Sequence, residues 1–509
     1  MPGGFFAEIC VNGFASGPIA AGTDGCYTVI VGLGPKEEGS GKRMEKTVEI
    51  QQEKLFTNQK LLQLLWPLVI EQALSVLVGM ADTVMVSSVG EAAISGVSLV
   101  DMINNLMFNI FAALATGGAV VTSQFLGARQ KDDACRSAGQ LVTLSAVLGV
   151  AVMAVCLGFS HGLLRLFFGR IDDDVMNAAL TYFFITGLSY PFLAMYNAGA
   201  AIFRSVGNSA VSMRVSVLMN IINVCGNALC IYVLHMGVEG VAVPTLISRV
   251  VGAVLILRMT TRHDNPARVT WDGVRRFRPR MVRNILYIGI PSAMENSLFQ
   301  LGRVLVVSMI SGFGTVHISA NAVANNLDSV GCIVGQAMGL AMISVVGRCI
   351  GAGSPDQAIY YTKKLLLWDY IAQGLTNAVV ILALPVFLGM YTLSPETAEL
   401  SRILVLIHCG CGIVLWPAAF VLPNALRAAN DVRFTMLTSI CPWPSGGWDF
   451  PISSASTWNG VLWVSGSPWW WTGSAAYFAL SSALPAENGN AAPCLPKVQR
   501  RRDGRGILL

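Results

Sequence analysis

Charge is scarce in this chain. Lys, Arg, Asp and Glu make up only 12% of its 509 residues, and 54% are hydrophobic. An ordinary soluble domain carries about 25% charged residues, so that balance excludes a soluble globule. Histidine is scarcer still: His161, His235, His263, His317 and His408 stand far apart. No Ser/His/Asp set and no His/Cys cluster with ligand spacing forms, which argues against a membrane enzyme and a metal centre. The 12 cysteines include no CxxC pair, and Cys156, Cys225, Cys230 and Cys332 lie inside apolar runs. They read as small packing residues, not as a disulfide framework. A nucleotide-binding loop is missing too. The nearest approach, GPKEEGSGK at residues 34–42, has Ser40 where the lysine should follow the second glycine. Energy for any transport must therefore come from an ion gradient, with no cofactor. The net charge of +5 implies no nucleic-acid partner, because the basic residues sit in short loops.

Long apolar runs fill the space that charge leaves. They read as spans at 60–87, 93–120, 137–160, 175–203, 210–234, 239–259, 284–311, 318–346, 360–388 and 398–424, with an eleventh starting near Val432. Each is long enough to cross a bilayer as a helix. Alternate loops are basic: Arg129, Lys131 and Arg136; Arg204 and Arg214; a cluster from Arg262 to Arg283; Arg348, Lys363 and Lys364; Arg427 and Arg433. The opposite loops carry Glu91, Glu239, Glu396 and Glu399, and the loop after span 3 is mixed. The positive-inside rule then predicts a multi-pass protein of the inner (plasma) membrane with a cytoplasmic N-terminus, in contact with membrane lipids.

Residues 67–134 align without a gap on residues 291–358, at an offset of 224. Matches include Pro67/Pro291, Glu71/Glu295, Leu77/Leu301, Gly90/Gly314, Gly127/Gly351 and Ala134/Ala358. The offset covers six spans, an even number, so both halves keep one orientation. The expected fold is an all-α polytopic membrane protein of two six-helix lobes, related by a pseudo-two-fold axis along the membrane normal. The predicted domains are an N-terminal lobe (44–260), a basic cytoplasmic linker (261–283) and a C-terminal lobe (284–440). Residues 1–43 lack helical periodicity and a signal-peptide start, and translation is expected to begin at Met44. Residues 441–509 hold seven of the 11 tryptophans, broken up by Pro, Gly and Ser. A frameshift near codons 440–442 is expected there, truncating the second lobe after about ten and a half spans, because half a span strands backbone groups in lipid.

Several segments resemble one family. WP at 66–67 with MADTVMV at 80–86 resembles the first helix of the multidrug and toxic compound extrusion (MATE) family. ATGGAVVTSQ at 115–124, NIINVCGN at 220–227, GVEGVAVPT at 237–245 and PSAMEN at 291–296 resemble its helices 2, 5, 6 and 7. The resemblance covers about residues 55–440. It implies a central cavity exposed alternately to each side, and exchange of Na⁺ or H⁺ for organic cations and other amphipathic, drug-like compounds. The family's first-lobe cation site maps onto Asp82, Asn223 and Thr245. Asn227 stands where many members have a second Asp, which weakens a Na⁺ site and favours H⁺.

Asp82 lies inside span 1, where a central carboxylate costs about 2.5–3.5 kcal/mol and usually lines a cavity or pathway. Its repeat counterpart is Val306, so folding symmetry does not require it; the alternative is a buried acceptor tying span 1 to span 5. Glu71 lies about three turns earlier on nearly the same face. Both halves keep this carboxylate, as Glu71 and Glu295, which reads first as a structural role. Asp101 and Asn105 in span 2, and Gln300 and Arg303 in span 7, are further cavity or structural candidates. The family's acids in helices 7 and 10 fall here on apolar positions, Phe299 and Trp416, so a second-lobe cation site of that kind is not expected. Asp369 in span 9 has no assignable role. The expected function is a cation-coupled multidrug antiporter acting as a monomer. A flippase for a lipid-linked amphiphile would want a basic cavity, and an inactive truncated product is the remaining alternative.

Overall fold

The computed structural model describes residues 54–169, 172–311, 315–389, 391 and 393–440. The expectations for residues 1–43 and 441–509 lie outside them. Every regular element among the described residues is a helix. The first lobe holds α1 (Asn58–Ser87), α2 (Glu91–Gly127), α3 (Lys131–Gly158), α4 (Ser160–Phe168), α5 (Asp173–Leu188), α6 (Tyr190–Val206), α7 (Ser209–Ala228) and α8 (Glu239–Thr260). A short α9 (Trp271–Arg275) interrupts the linker. The second lobe holds α10 (Pro279–Ser311), α11 (Thr315–Gly331), α12 (Ile333–Gly351), α13 (Pro355–Leu382), α14 (Leu384–Gly389), α15 (Pro395–Trp416), α16 (Leu422–Ala428) and α17 (Val432–Ile440). Eight helical stretches among the described residues are long and apolar enough to cross a membrane, or nine if the bent pair α5–α6 is one span.

The 224-residue offset reappears in the backbone. α3 and α13 have matching bounds at that offset, α1 and α10 end together, and α2 matches the run from α11 to α12. The turn after each match also agrees: Arg129 (φ 59°) and Gly353 (φ 70°) occupy the left-handed region at equivalent positions. The halves differ where the local sequence differs. α2 runs unbroken for 37 residues, whereas its counterpart breaks at Cys332. Span 4 bends by 46° between α5 and α6. Pro191 there has no N–H to donate, and the Ser189 hydroxyl bonds the Thr186 carbonyl at 2.5 Å. Pro417 likewise opens a π-helical turn, Pro417–Val421, between α15 and α16.

The linker is docked rather than loose. Buried Gln140 on α3 donates to the carbonyls of Gly273 (2.6 Å) and Arg276 (3.0 Å), and its Oε1 accepts the Arg278 N–H at 3.0 Å. One side chain thus satisfies three backbone groups that a short helix leaves open.

The lobes share one hydrophobic core at a single end. It joins Leu64, Leu68, Leu114 and Val120 of the first lobe to Ile285, Ile288, Met338 and Val345 of the second. Two further clusters each belong to one lobe: Met85, Val100, Phe111, Phe183 and Tyr190 in the first, Ala320, Leu327, Val380 and Leu404 in the second. At the shared end α2 and α12 meet backbone to backbone. A Cβ on Gly127 would fall on the Arg348 carbonyl, and one on Gly351 would fall on the Gln124 carbonyl. These are reciprocal contacts, since both pairs are related by the same offset. Polar bonds follow the same symmetry: Gln124 Nε2 donates to the Ala428 carbonyl (2.9 Å), and Arg348 donates twice to the Ser205 carbonyl (2.9 and 2.7 Å).

This packing sets an expectation for purified protein. Gly127→Ala and Gly351→Ala should each lower the melting temperature in detergent, because overpacking typically costs about 1–3 kcal/mol. Gly158→Ala should leave it unchanged, since nothing lies within 4 Å of a Cβ there. Equal melting of all three variants would contradict the close crossing.

Candidate functional site

Three helices of the first lobe, α1, α7 and α8, build the site. α1 packs on α7 and α7 on α8. Asn223 and Asn227 lie one turn apart on the same face of α7. Beside them Gly226 faces Pro244 of α8, and a Cβ at 226 would come within 2.7 Å of the proline Cβ. The missing side chain lets α8 close in until Asn223 Nδ2 donates to Thr245 Oγ1 at 2.9 Å. Asn227 Nδ2 donates to Asp82 Oδ1 at 2.8 Å, and more weakly to Asn223 Oδ1 at 3.4 Å. Asp82, Asn227, Asn223 and Thr245 therefore form one hydrogen-bonded chain across α1, α7 and α8. Asn227 is 0% exposed, and its Oδ1 has no hydrogen-bond partner among the described residues. Asp82 itself is half-buried.

A second carboxylate stands nearby. Asp101 on α2 accepts at Oδ1 from Asn104 Nδ2 (3.1 Å) and from the Tyr182 hydroxyl (3.2 Å). The Tyr190 hydroxyl in turn donates to Asn104 Oδ1 at 2.8 Å. The charge of Asp101 acts on Asp82, and the guanidinium of Arg249 on α8 acts on both. Arg249 is held by its bond to Ser189 Oγ, 2.7 Å away at the bend between α5 and α6. With both acids ionised, two negative charges face one positive charge, and the group is one cation short of neutral.

The other residues singled out in the sequence are placed as follows. Glu71 accepts from Ser212 Oγ (2.9 Å) and faces Arg204 Nη1 at 3.6 Å. Glu295 pairs with Arg427 at 2.6 Å, and Arg427 also donates to Asn424 Oδ1 at 2.8 Å. The two ion pairs occupy nearly equivalent positions in the two lobes and lie apart from the Asp82 chain. Arg303 is exposed and donates to Asn325 Oδ1 at 3.2 Å. Asn105 is exposed, with its carbonyl accepting from Asn109 Nδ2, and Gln300 is half-buried on α10. Sequence reasoning missed Tyr182, Tyr190 and Arg249. A search for basic residues inside apolar runs would have found Arg249, which stands mid-way along α8.

The MatE family profile matches residues 67–229 and 291–444, two segments that start at the two ends of the internal offset. The chain belongs to the MatE family. Among MatE-like relatives, the uncharacterized transporter YisQ of Bacillus subtilis is 29% identical over 394 residues, covering 76% of this chain and 85% of YisQ. A probable multidrug resistance protein NorM of Thermotoga maritima is 24% identical, covering 69% and 75%. Solved structures share the fold. A MOP-superfamily transporter from Pyrococcus furiosus superposes with a TM-score of 0.76 at 19% identity, covering 83% of this chain and 95% of its own. An outward-facing multidrug resistance MATE transporter gives 0.75 at 21% identity, covering 82% and 93%. This MatE chain is thus an all-α, multi-pass membrane protein of a transporter family.

The buried ion pair of the first lobe gives a direct test. Glu71→Gln should destabilise the protein strongly, because stripping one partner from a buried pair costs about 3–5 kcal/mol. The double variant Glu71→Gln/Arg204→Gln should recover part of that loss. Additive melting shifts in this double-mutant cycle would show that the two side chains are not coupled.

Proposed function

We propose that this protein is a cation-coupled antiporter that exports organic cations and amphipathic drugs, taking H⁺ or Na⁺ at Asp82. One observation carries the reading. Asp82 and Asp101 share a single counter-charge, Arg249, in a place lined by amide and hydroxyl oxygens. With both acids ionised the group is one positive charge short of neutral, which favours a monovalent cation. A proton or Na⁺ fills the need in one state, and a cationic drug that reaches the same field competes in the other. Two ligands that draw on one charge but favour different conformations make an exchanger. The names borne by relatives, multidrug resistance among them, agree with this class of cargo. A flippase for anionic headgroups would need the opposite balance.

The protein sits in the plasma membrane as a monomer among lipids, N-terminus inside, with no nucleic-acid partner. In that orientation the contact at Gly127 and Gly351 lies on the cytoplasmic side. The lobes must part there for cargo to enter, and closing them against each other opens the far side.

Cells that express a version with a complete second lobe should accumulate less ethidium, and only while their ion gradient stands. Asp82→Asn keeps an acceptor for Asn227 but removes the charge. It should reach the membrane in normal amount and lose the efflux. Undiminished efflux from that variant would remove Asp82 from the coupling.

A further inference from the structure

Asp369 is the one acidic side chain in the described spans that the preceding account does not use and that touches no cation. It lies mid-way along α13 in the second lobe and is 0% exposed. Both of its carboxylate oxygens lack a hydrogen-bond partner among the described residues. Gln373, one turn on and on the same face, is also 0% exposed, and neither its Nε2 nor its Oε1 has a partner there. Asn377, a further turn on, is 1% exposed. Its Nδ2 donates to the carbonyls of Gln373 (2.9 Å) and Gly331 (3.5 Å). Three polar side chains at four-residue spacing thus make a buried stripe pressed on the end of α11 and the start of α12. Gly331 and Gly335 give it room, since a Cβ at either would fall on the amide oxygen of Asn377 or Gln373.

The neighbouring charges are engaged elsewhere. On α11, Asp328 is bound by Cys332 Sγ at 3.8 Å and is acted on by His408 of α15 and by Arg303. Arg348 on α12 is spent on the Ser205 carbonyl, and Arg427 on α16 is paired with Glu295. None of them acts on Asp369; burial is the one influence on it. An ionised carboxylate in that setting would be an uncompensated charge in hydrocarbon, which proteins avoid by neutralising or pairing it. The first lobe has no equivalent, because the offset maps Asp369, Gln373 and Asn377 onto Ser145, Gly149 and Met153.

We propose that Asp369 and Gln373 form a second monovalent-cation site, in the second lobe, separate from the Asp82 site, with Asn377 tying the next turn of α13 to Gly331. The proton needs the fewest ligands: it sits on the Asp369 carboxyl and is donated to the Gln373 amide oxygen. Na⁺ would take the same carboxylate and the amide oxygen of Gln373. The site stands on its own geometry and does not depend on the role given to Asp82.

Infrared difference spectroscopy of the purified full chain in lipid tests this. In the proton case a protonated-carboxyl C=O band, shifted in D₂O, is present at neutral pH, is lost in Asp369→Asn and survives in Asp82→Asn. In the Na⁺ case that band is absent from the wild type, and ²²Na⁺ binding is reduced in Asp369→Asn but persists in Asp82→Asn. Either result supports the site and names its ion. If neither the carboxyl band nor ²²Na⁺ binding depends on Asp369, the proposal is overturned. Should Asp369→Asn fail to fold, Gln373→Leu replaces it: the band must shift or ²²Na⁺ binding must weaken, and no change in either overturns the proposal.

Discussion

A charge held in hydrocarbon must be neutralised, and this constraint shapes the described spans more than any single packing contact. Taking a carboxylate out of water costs several kcal/mol even after relaxation. Each buried acid answers that cost in its own way. Glu71 and Glu295 have an arginine of their own lobe. Asp82 and Asp101 are both acted on by one, Arg249, so with both acids ionised the group is one positive charge short. Asp369 has none. The fully paired acids hold helices together, and the under-compensated ones are where a mobile cation has reason to bind. Partners rather than depth therefore separate the paired carboxylates from the proposed cation sites.

The proposed exchange also asks for two halves, and the described helices form two related sets. Among the described residues each lobe keeps its own core, and the two share one at the end where α2 and α12 cross. That crossing is made by glycines at equivalent positions, Gly127 and Gly351, each lying on the other lobe's backbone. A contact made of backbone and small residues binds by close packing, as helices in membranes commonly do. Ion pairs and the lobe contact obey the two-fold relation, but the Asp82 site does not: Val306 stands at the equivalent position. Architecture is symmetric in this protein, and chemistry is not.

Much of the architecture was legible because it is written locally. Apolar run length and the constant offset of 224 gave helix positions within a few residues and the pairing of the halves. The bend at Ser189, the break at Cys332 and the π-helical turn at Pro417–Val421 were not legible, since they depend on how neighbouring helices pack. Glu71, Glu295, Asp82, Asn223, Asn227 and Thr245 could be picked out as polar residues at repeated or family-like positions. Their partners could not. Arg204 lies 133 residues beyond Glu71 in sequence and had been counted as a loop charge, as had Arg427. Arg249 was lost inside an apolar run. Asp369 looked solitary on the page of sequence, and only the packing of α13 on α12 shows that it is also solitary in space, with Gln373 beside it.

The central claim is that the coupling cation and the drug compete for the charge at Asp82. Calorimetry of tetraphenylphosphonium binding to the purified protein, repeated in buffers of different ionisation enthalpy and with and without Na⁺, tests it most directly. The account predicts that binding releases a proton or displaces Na⁺, and that the release disappears in Asp82→Asn. Tight binding with no dependence on buffer or Na⁺ would contradict it.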